Sequence, residues 1–478
     1  MLPALLACAS APRTGPPPIV LVSLDTLRAD RLGAYGNGDA LTPNLDAFAA
    51  EAVVFTQAWS QAVQTAPSHT SLFTSRYPSE QVGDDRLPFV PADMPLLAQL
   101  LKLWEYQTGA FVGGADLSKY RGLNVGFDAY ETSRDFGSLF HTTPPALAWL
   151  DAVDRDAPWF LFVHGYDAHT PYLKPPPYGF AHTGGAPGGA GLDAARRGTE
   201  RIIDGFLYAD FYPLVAAFDH EVRPRSAAGR ARTSELAGMS EDSVPLTEAD
   251  ETYVRRVYDG AVSYADTLFG LLMAELDARG VLDEAVVVVL SDHGEQLGEH
   301  GLWGHCCEVN DEESHVPLLV RLPHGERGGT RVDATVELVD VMPTLLELAE
   351  IPPPAGIHGR SFAAALRGEP FAGRPRAFTQ GTETMRTVSV RGPNGRLTYL
   401  GLSPTCEHLP DVVEAARHDG PGFLATEGLA EADRAELRAA MVEWLRTLSP
   451  SAGLGNRGEM PAALKKSLRE HGYWDVAP

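Results

Sequence analysis

The sequence is poor in cysteine, in basic residues and in long apolar runs, and each shortage closes off a class of protein. Four cysteines, Cys8, Cys306, Cys307 and Cys406, cannot staple a chain of 478 residues as a disulfide scaffold, and none of them shows the CxxC spacing of a zinc site. They leave room for one bridge, from Cys406 to Cys306 or Cys307, with inert buried thiols as the alternative. Lys and Arg number 39 against 63 Asp and Glu, a formal charge of -24. No broad positive field exists to draw nucleic acid, so nucleic acid is not an expected partner. An anionic substrate is not excluded, because a bound divalent cation would be the largest local charge in its site and would invert the field there. No stretch beyond the N-terminus approaches the roughly 18 uninterrupted apolar residues of a membrane span. Internal repeats are absent, and Gly 47 with Pro 37 falls below the range of disordered chains.

What is present has the composition of a globular protein, 44% hydrophobic and 21% charged. At about 100 to 200 residues per domain, the length suits a large domain with a smaller appendage. Residues 1–18, MLPALLACASAPRTGPPP, carry a short apolar run, small residues and a Pro-rich spacer that resemble an export signal. The LLAC ending at Cys8 also resembles a bacterial lipoprotein cleavage box, although a basic n-region is missing. The expectation is an exported protein, periplasmic or lipid-anchored, that meets a membrane only through this segment.

Ile19 to Leu24 (IVLVSL) is a continuous apolar, β-branched run, which reads as a central strand of a parallel sheet buried on both faces. Asp25 ends it. A helix beginning near Thr42 and Pro43 and a strand from Val53 follow, then a helical stretch over Met94 to Trp104 and a strand over Gln107 to Val112, a βαβ rhythm. Trp159 to Val163 (WFLFV) is another buried strand. From Pro175 to about Val244 the composition turns to Gly, Ala, Pro and Arg without periodicity, as expected of an insertion over a site mouth, a substrate lid or plain mobile surface. Glu248 to Arg279 reads as a strong helix, Ala285 to Leu290 as a strand, Val316 to Leu322 as another strand, and Glu337 to Glu350 as an amphipathic helix. After about Gly368, Arg376 to Gly401 alternates like antiparallel strands around PNG, and Ala430 to Leu448 reads as a terminal helix. These boundaries give a main domain over 19–368, with the insertion at 175–244, and a smaller α+β subdomain over 369–478.

The chemistry collects at strand ends. In open α/β sheets ligands gather beyond the carboxyl ends of the strands, so Asp25 there is a candidate metal ligand, with capping of the next turn as the plain alternative. AVVVVLSDHGE delivers Asp292 and His293 to such an end, and carboxylate oxygen with neutral imidazole suits a divalent metal. Gly294 lets the backbone turn with no side chain in the way. FLFVHGYDAHTPY puts His164, Asp167 and His169 at or beyond a third end, and the Gly-rich loop before Val316 holds His300, His305 and His315. Each of these histidines has a structural role as its alternative. QTAPSHTSLFTSRYP places Thr65 at the start of a helix beside Pro67, where it is either a helix cap or a hydroxyl aimed at whatever the helix N-terminus binds.

Taken in order, VSLDTLRADRLGAYG, TPNLDAFAAEAVVFTQAW, APSHTSLFTSRYP, FLFVHGYDAHTPY, SDHGEQLGEHG, HVPLLVRLP and VDVMPTLLELAEIPPPAGIHGRS resemble the sulfatase branch of the alkaline phosphatase superfamily, from Ile19 to about Gly368. The resemblance implies an α/β fold, a mixed sheet sandwiched by helices, with the smaller C-terminal α+β subdomain beside it. It implies one divalent metal ion, Ca, Mn or Zn, held by Asp25, Asp292, His293 and the nucleophile position, Thr65. His169 and His305 fall where the family contacts the transferring oxyanion or protonates the leaving group. His69 stands at the arginine of the family's CxPxR motif, which reads here as Thr65, Pro67 and His69. The cysteine or serine of that motif is oxidised to formylglycine in sulfatases. Threonine bears a methyl on its carbinol carbon, so the same oxidation cannot yield the aldehyde. The family's GKWHLG segment is also replaced, by GADLSKYRGL.

The resulting expectation is a metal-dependent hydrolase of small-molecule, lipid or glycan esters in which the Thr65 hydroxyl attacks directly, with phosphoesters or phosphoryl transfer preferred. Sulfate-ester hydrolysis is the alternative, and a non-catalytic binding protein on the same fold is a third reading. A second ion could draw on His164, Asp167, His300 and His315, but the DxxxH spacing of two-metal enzymes is not evident around His169, so one metal is expected.

Overall fold

The computed structural model describes residues 15–81, 90, 94–132, 134–170, 172, 174–178, 248–301, 303–305, 309–381, 387–400, 423–425 and 429–448. The export reading of residues 1–14, nearly all of the insertion and the four cysteines lie outside them.

The apolar run Ile19–Leu24 forms strand β1, and every one of its residues is buried. Its side chains alternate between two cores, Ile19 and Leu21 in one and Val20, Val22 and Leu24 in the other. A strand covered on both faces has no polar side to show, which is why its sequence lacks alternation. Each Val or Leu buried this way contributes about 1.5–3 kcal/mol relative to an exposed one. The remaining strands of the body are β2 (Val53–Trp59), β3 (Gln107–Val112), β4 (Ala129–Thr132), β5 (Trp159–Gly165), β6 (Val286–Leu290), the short pair β7 (Gln296–Leu297) and β8 (Trp303–Gly304), β9 (His315–Arg321), β10 (Arg331–Val332) and β11 (Val336–Glu337). Eight of these join β1 in one nine-stranded sheet in the order β10-β2-β9-β6-β1-β5-β3-β4, with β11 also on β2. β1 runs parallel to β5 and β6, whereas β9 runs antiparallel to β6 and β2, so the sheet is mixed.

Register positions the site. Ser23 of β1 pairs with His164 of β5 and with Leu290 of β6, and Leu24 pairs with Gly165, so the three strands end within a residue of one level and Asp25, Tyr166 and Ser291 are the first residues beyond them. Helix α1 (Pro43–Ala50) and the long helix α5 (Glu248–Ala278) pack with α4 (Leu139–Ala152) on one face, while α2 (Thr65–Thr74) and α3 (Leu97–Leu103) cover the other. No described helix is long and apolar enough to cross a membrane.

Further on, strands β12 (Ala377–Gly381), β13 (Thr387–Gly392), β14 (Gly395–Leu400) and β15 (Phe423–Ala425) make a small antiparallel sheet, the β13–β14 hairpin turning at Pro393-Asn394. The terminal helix Glu431–Thr447 packs on it through Leu437, Met441, Trp444 and Leu445, and Tyr77 and Val339 of the main body join this core.

The elements differ from the sequence expectation in two instructive places. The helix expected over Glu337 to Glu350 starts only at Val341, after β11 and a single turn, Leu338–Asp340. Glu337 is committed to tertiary partners, accepting from Tyr77 Oη at 2.7 Å and Phe378 N at 2.7 Å, and Asp340 Oδ2 takes the Glu337 amide. Strand β5 runs on through His164 and Gly165, so His164 is a strand residue, not a loop residue.

Candidate active site

Two sharp turns bring the acidic groups together. After β1, Thr26 adopts a left-handed conformation with φ 56, unusual for a β-branched residue. Surrounding bonds hold it: Tyr258 Oη of α5 donates to Thr26 O at 2.7 Å, and the Thr26 hydroxyl donates to Asp25 O at 2.8 Å. After β6, the Ser291 hydroxyl donates to His293 O at 2.6 Å and accepts from Leu27 N at 2.9 Å, locking the two turns to each other. Gly294 is required there, since a Cβ would lie 2.0 Å from Glu312 O.

Asp25, Asp292 and His293 each present a ligand atom, and these atoms lie within 4.8 Å of one another. Asp25 Oδ1, Asp292 Oδ2 and His293 Nε2 are buried and make no hydrogen bond. Three orphaned atoms of this kind are costly unless something bridges them, and two carboxylate oxygens with one imidazole nitrogen are the donors of a divalent-cation site. His293 Nδ1 donates to Gly294 O at 2.9 Å, which fixes the tautomer and leaves Nε2 as a lone pair. Burial holds His293 down to about 4, so the ring is neutral, as a ligand must be. Burial, with Asp25 alongside, pushes Asp292 up to about 7, and burial raises Asp25 well above the carboxylate range. Both shifts are what a cation would relieve.

Thr65 is the first residue of α2, with Gln64 at the cap position, and no side chain caps this helix. The capping alternative therefore fails, and the hydroxyl is used elsewhere: it donates to Asp25 Oδ2 at 3.1 Å. The same oxygen faces His164 Nε2 at 3.1 Å. His69 lies one turn on from Thr65 along α2. Its Nδ1 donates to Thr65 O at 2.8 Å and stands 3.5 Å from Asp292 Oδ2, while Nε2 accepts from the Ser23 hydroxyl at 3.0 Å. It is fully buried and held neutral, near 4, by that burial.

Beside this acidic group, His169 and His305 face each other with their Nε2 atoms 3.3 Å apart. His169 Nδ1 donates to Thr170 O at 2.5 Å and His305 Nδ1 to Val63 O at 3.1 Å, so both inner nitrogens carry hydrogens and the two Nε2 atoms of the neutral rings face each other as lone pairs, burial holding His169 well below the ordinary histidine range. The His305 ring is also 4.4 Å from His293, centroid to centroid. Lys174 Nζ donates to His169 O at 3.1 Å, and burial lowers it to about 8.

The structure thus gathers Asp25, Thr65, Asp292, His293, His69, His169 and His305. It separates the others. His300 lies 3.5 Å from Glu312, His315 Nε2 bonds Thr56 O at 2.9 Å, and Asp167 Oδ2 accepts from Leu139 N at 2.9 Å. With His164 on Asp25, these four do not make a second metal group among the described residues. His164, read in the sequence as a candidate ligand of a second ion, instead meets Asp25 of the first group. The one sequence signal for that contact was a histidine closing an otherwise apolar strand.

A family model described as Sulfatase matches residues 17–351. An ulvan-active sulfatase of Formosa agariphila is 28% identical over 381 residues, covering 75% of this chain and 66% of that protein. A multifunctional alkaline phosphatase superfamily protein of Trinickia caryophylli is 28% identical over 239 residues, covering 50% of this chain and 43% of that protein. The chain therefore spans just under two thirds and under half of these two relatives. Among solved structures, the phosphonate monoester hydrolase of Agrobacterium radiobacter superposes with a TM-score of 0.64 at 21% identity, over 90% of this chain and 95% of that one, a likeness of fold.

Proposed function

The chain belongs to the sulfatase family, and from that membership we propose that it is a metal-dependent hydrolase of phosphate or sulfate esters in which Thr65 is the nucleophile and phosphoesters are preferred. The observation that carries this reading is the Thr65 hydroxyl directed at Asp25 Oδ2 beside the unpartnered oxygen of the same carboxylate.

Asp25, Asp292, His293 and the Thr65 oxygen would hold one divalent ion. An imidazole among the ligands favours Zn or Mn over Ca, which prefers an all-oxygen shell. Such an ion supplies Lewis acidity that stabilises negative charge on coordinated oxygen. The chain's own groups do the rest. Thr65 sits at the positive end of α2, which favours an oxyanion there, and its proton has an acceptor in Asp25 Oδ2. Oγ1 attacks phosphorus and the bond to the leaving oxygen breaks; one of the facing Nε2 atoms of His169 and His305, having taken a proton from solvent as the anionic ester binds beside it, delivers that proton to the leaving oxygen. The product is a threonine phosphoester, which water then cleaves or an acceptor alcohol takes over. His69, bonded to Thr65 O from behind, orients the helix turn and does not meet the substrate.

Preference for phosphorus follows from the methyl on the Thr65 carbinol carbon. Without an aldehyde hydrate no elimination can release the transferred group, so the covalent ester must be cleaved at its central atom. The similarity to the ulvan-active sulfatase favours the second reading, a glycan sulfate ester on the same groups. Turnover of an aryl phosphodiester against an aryl sulfate, with Mn or Zn added and Thr65→Ala as control, separates the two. Cleavage of the sulfate alone, at full rate in the variant, would eliminate the threonine mechanism.

A further inference from the structure

Between β2 and α2 the chain crosses 60–63 with no regular secondary structure, yet each of its carbonyls has a named donor. Ser60 O accepts from the Thr379 hydroxyl at 2.6 Å, Gln61 O from Gln380 N at 2.9 Å, Ala62 O from the Ser60 hydroxyl at 2.6 Å, and Val63 O from His305 Nδ1 at 3.1 Å. The first two donors belong to β12 of the C-terminal sheet. The last belongs to the site. Ala62 also forms an isolated parallel bridge with Gln380, whose side-chain oxygen takes Ser79 N at 3.0 Å, beyond the far end of α2.

Two catalytic groups hang from this crossing. Just beyond its end, after Gln64, stands the first residue of α2, Thr65, and the Val63 carbonyl of the crossing sets the tautomer and tilt of His305. A third contact reaches the metal ligands, for Ser60 Oγ lies 3.0 Å from Ser68 Oγ, which donates to Asp292 O at 2.7 Å. The same sheet also holds the far side of the His305 loop, where Arg396 Nη2 of β14 donates to Asn310 Oδ1 at 2.6 Å. Ser60, Ser68, Thr379 and Gln380 are all buried, so water cannot substitute for a lost partner.

We propose that the C-terminal sheet is part of the catalytic apparatus, with Thr379 as a positioning residue that fixes the 60–63 crossing and, through it, the relative placement of Thr65 and His305. This rests on the reading of those two residues as nucleophile and proton donor. Without the Thr379 bond the N-terminus of α2 would rest more heavily on the bonds from Thr65 to Asp25 and from Ser68 to Asp292, and a misplacement of about 1 Å at a reacting group can cost on the order of a hundredfold in rate.

The test compares Thr379→Val, which keeps the shape and deletes the hydroxyl, with Thr379→Ser, which keeps the hydroxyl, in the full metal-loaded chain. For Thr379→Val, kcat on an aryl phosphodiester is expected to fall about ten- to a hundredfold, with KM within about twofold. Amide exchange across 60–66 is expected to speed up in Thr379→Val, and Thr379→Ser to behave as wild type in both measurements. Exchange needs no substrate and so judges the clamp by itself: unchanged exchange in Thr379→Val, or the same acceleration in Thr379→Ser, overturns the proposal. An unchanged kcat in Thr379→Val overturns its catalytic part. A wild-type protein that turns over no phosphodiester while exchange responds as expected contradicts the proposed reaction and leaves the clamp standing.

Discussion

The Thr65 hydroxyl donates to Asp25 Oδ2 at 3.1 Å, while Asp25 Oδ1 makes no hydrogen bond. In the proposed reaction one carboxylate would serve two purposes, a proton acceptor on one oxygen and a metal ligand on the other. On that proposal Thr65→Ala should lower turnover on the order of a thousandfold or more, whereas Thr65→Ser keeps the hydroxyl and should stay within about tenfold of wild type. Steady-state kinetics on an aryl phosphodiester checks both.

Metal binding should be strongly pH-dependent. Asp292, held at about 7, and Asp25, held well above its ordinary 3.8, keep protons in the folded metal-free protein that the unfolded chain has already released. The folded state therefore binds more protons between the two ranges, and the metal-free protein loses stability as pH rises from about 4 to about 7. Zn or Mn binds the ionised carboxylates, so the rise in Tm on adding metal should be larger near pH 8 than near pH 5.5, and should vanish in Asp292→Asn. Differential scanning calorimetry reads this, and equal shifts at both pH values would contradict it.

Protonation of the leaving group by His169 and His305 should matter most where the leaving group is poor. His169→Gln is expected to slow an alkyl phosphodiester by about a hundredfold or more and a nitrophenyl ester far less, because the latter departs without protonation. Since the two rings act as one donor, His305→Gln should add little to the loss already caused by His169→Gln. Rates on the paired substrates in single and double variants test this.

Stability depends on a buried charge cluster where the small sheet meets the body. Arg374 lies 2.9 Å from Glu337 and donates to Asp340 Oδ2 at 2.8 Å, and both acids are buried. Arg374→Ala leaves two buried carboxylates without their cation and should cost about 3–5 kcal/mol, measurable by denaturant unfolding.

Much of this molecule was readable in the sequence, and the reasons are physical. Doubly buried strands such as β1 and β6 announce themselves as unbroken apolar runs, and residues that stop such runs, Asp25 and Asp292, were found at the strand ends. The Thr65 choice between cap and nucleophile was open in the sequence because both put a hydroxyl at a helix start; the structure puts Gln64 at the cap position, and the bond to Asp25 supports the nucleophile proposal. Tertiary commitments were invisible. Glu337 and Asp340 looked like helix surface because their partners, Tyr77, Phe378, Arg360 and Arg374, are distant in sequence. His164 looked like a loop histidine because nothing local shows that β5 continues through it. The link from Thr379 to Ser60 joins segments that sequence periodicity assigns to different parts of the chain.

The most direct test is intact mass, with peptide mapping, of the metal-loaded protein quenched after brief incubation with an aryl phosphodiester. If Thr65 is the nucleophile, the chain gains the mass of the substrate less its leaving alcohol, the modification maps to Thr65, and Thr65→Ala shows none. Steady turnover with no adduct at Thr65 under rapid quench, or the same adduct in Thr65→Ala, would contradict it.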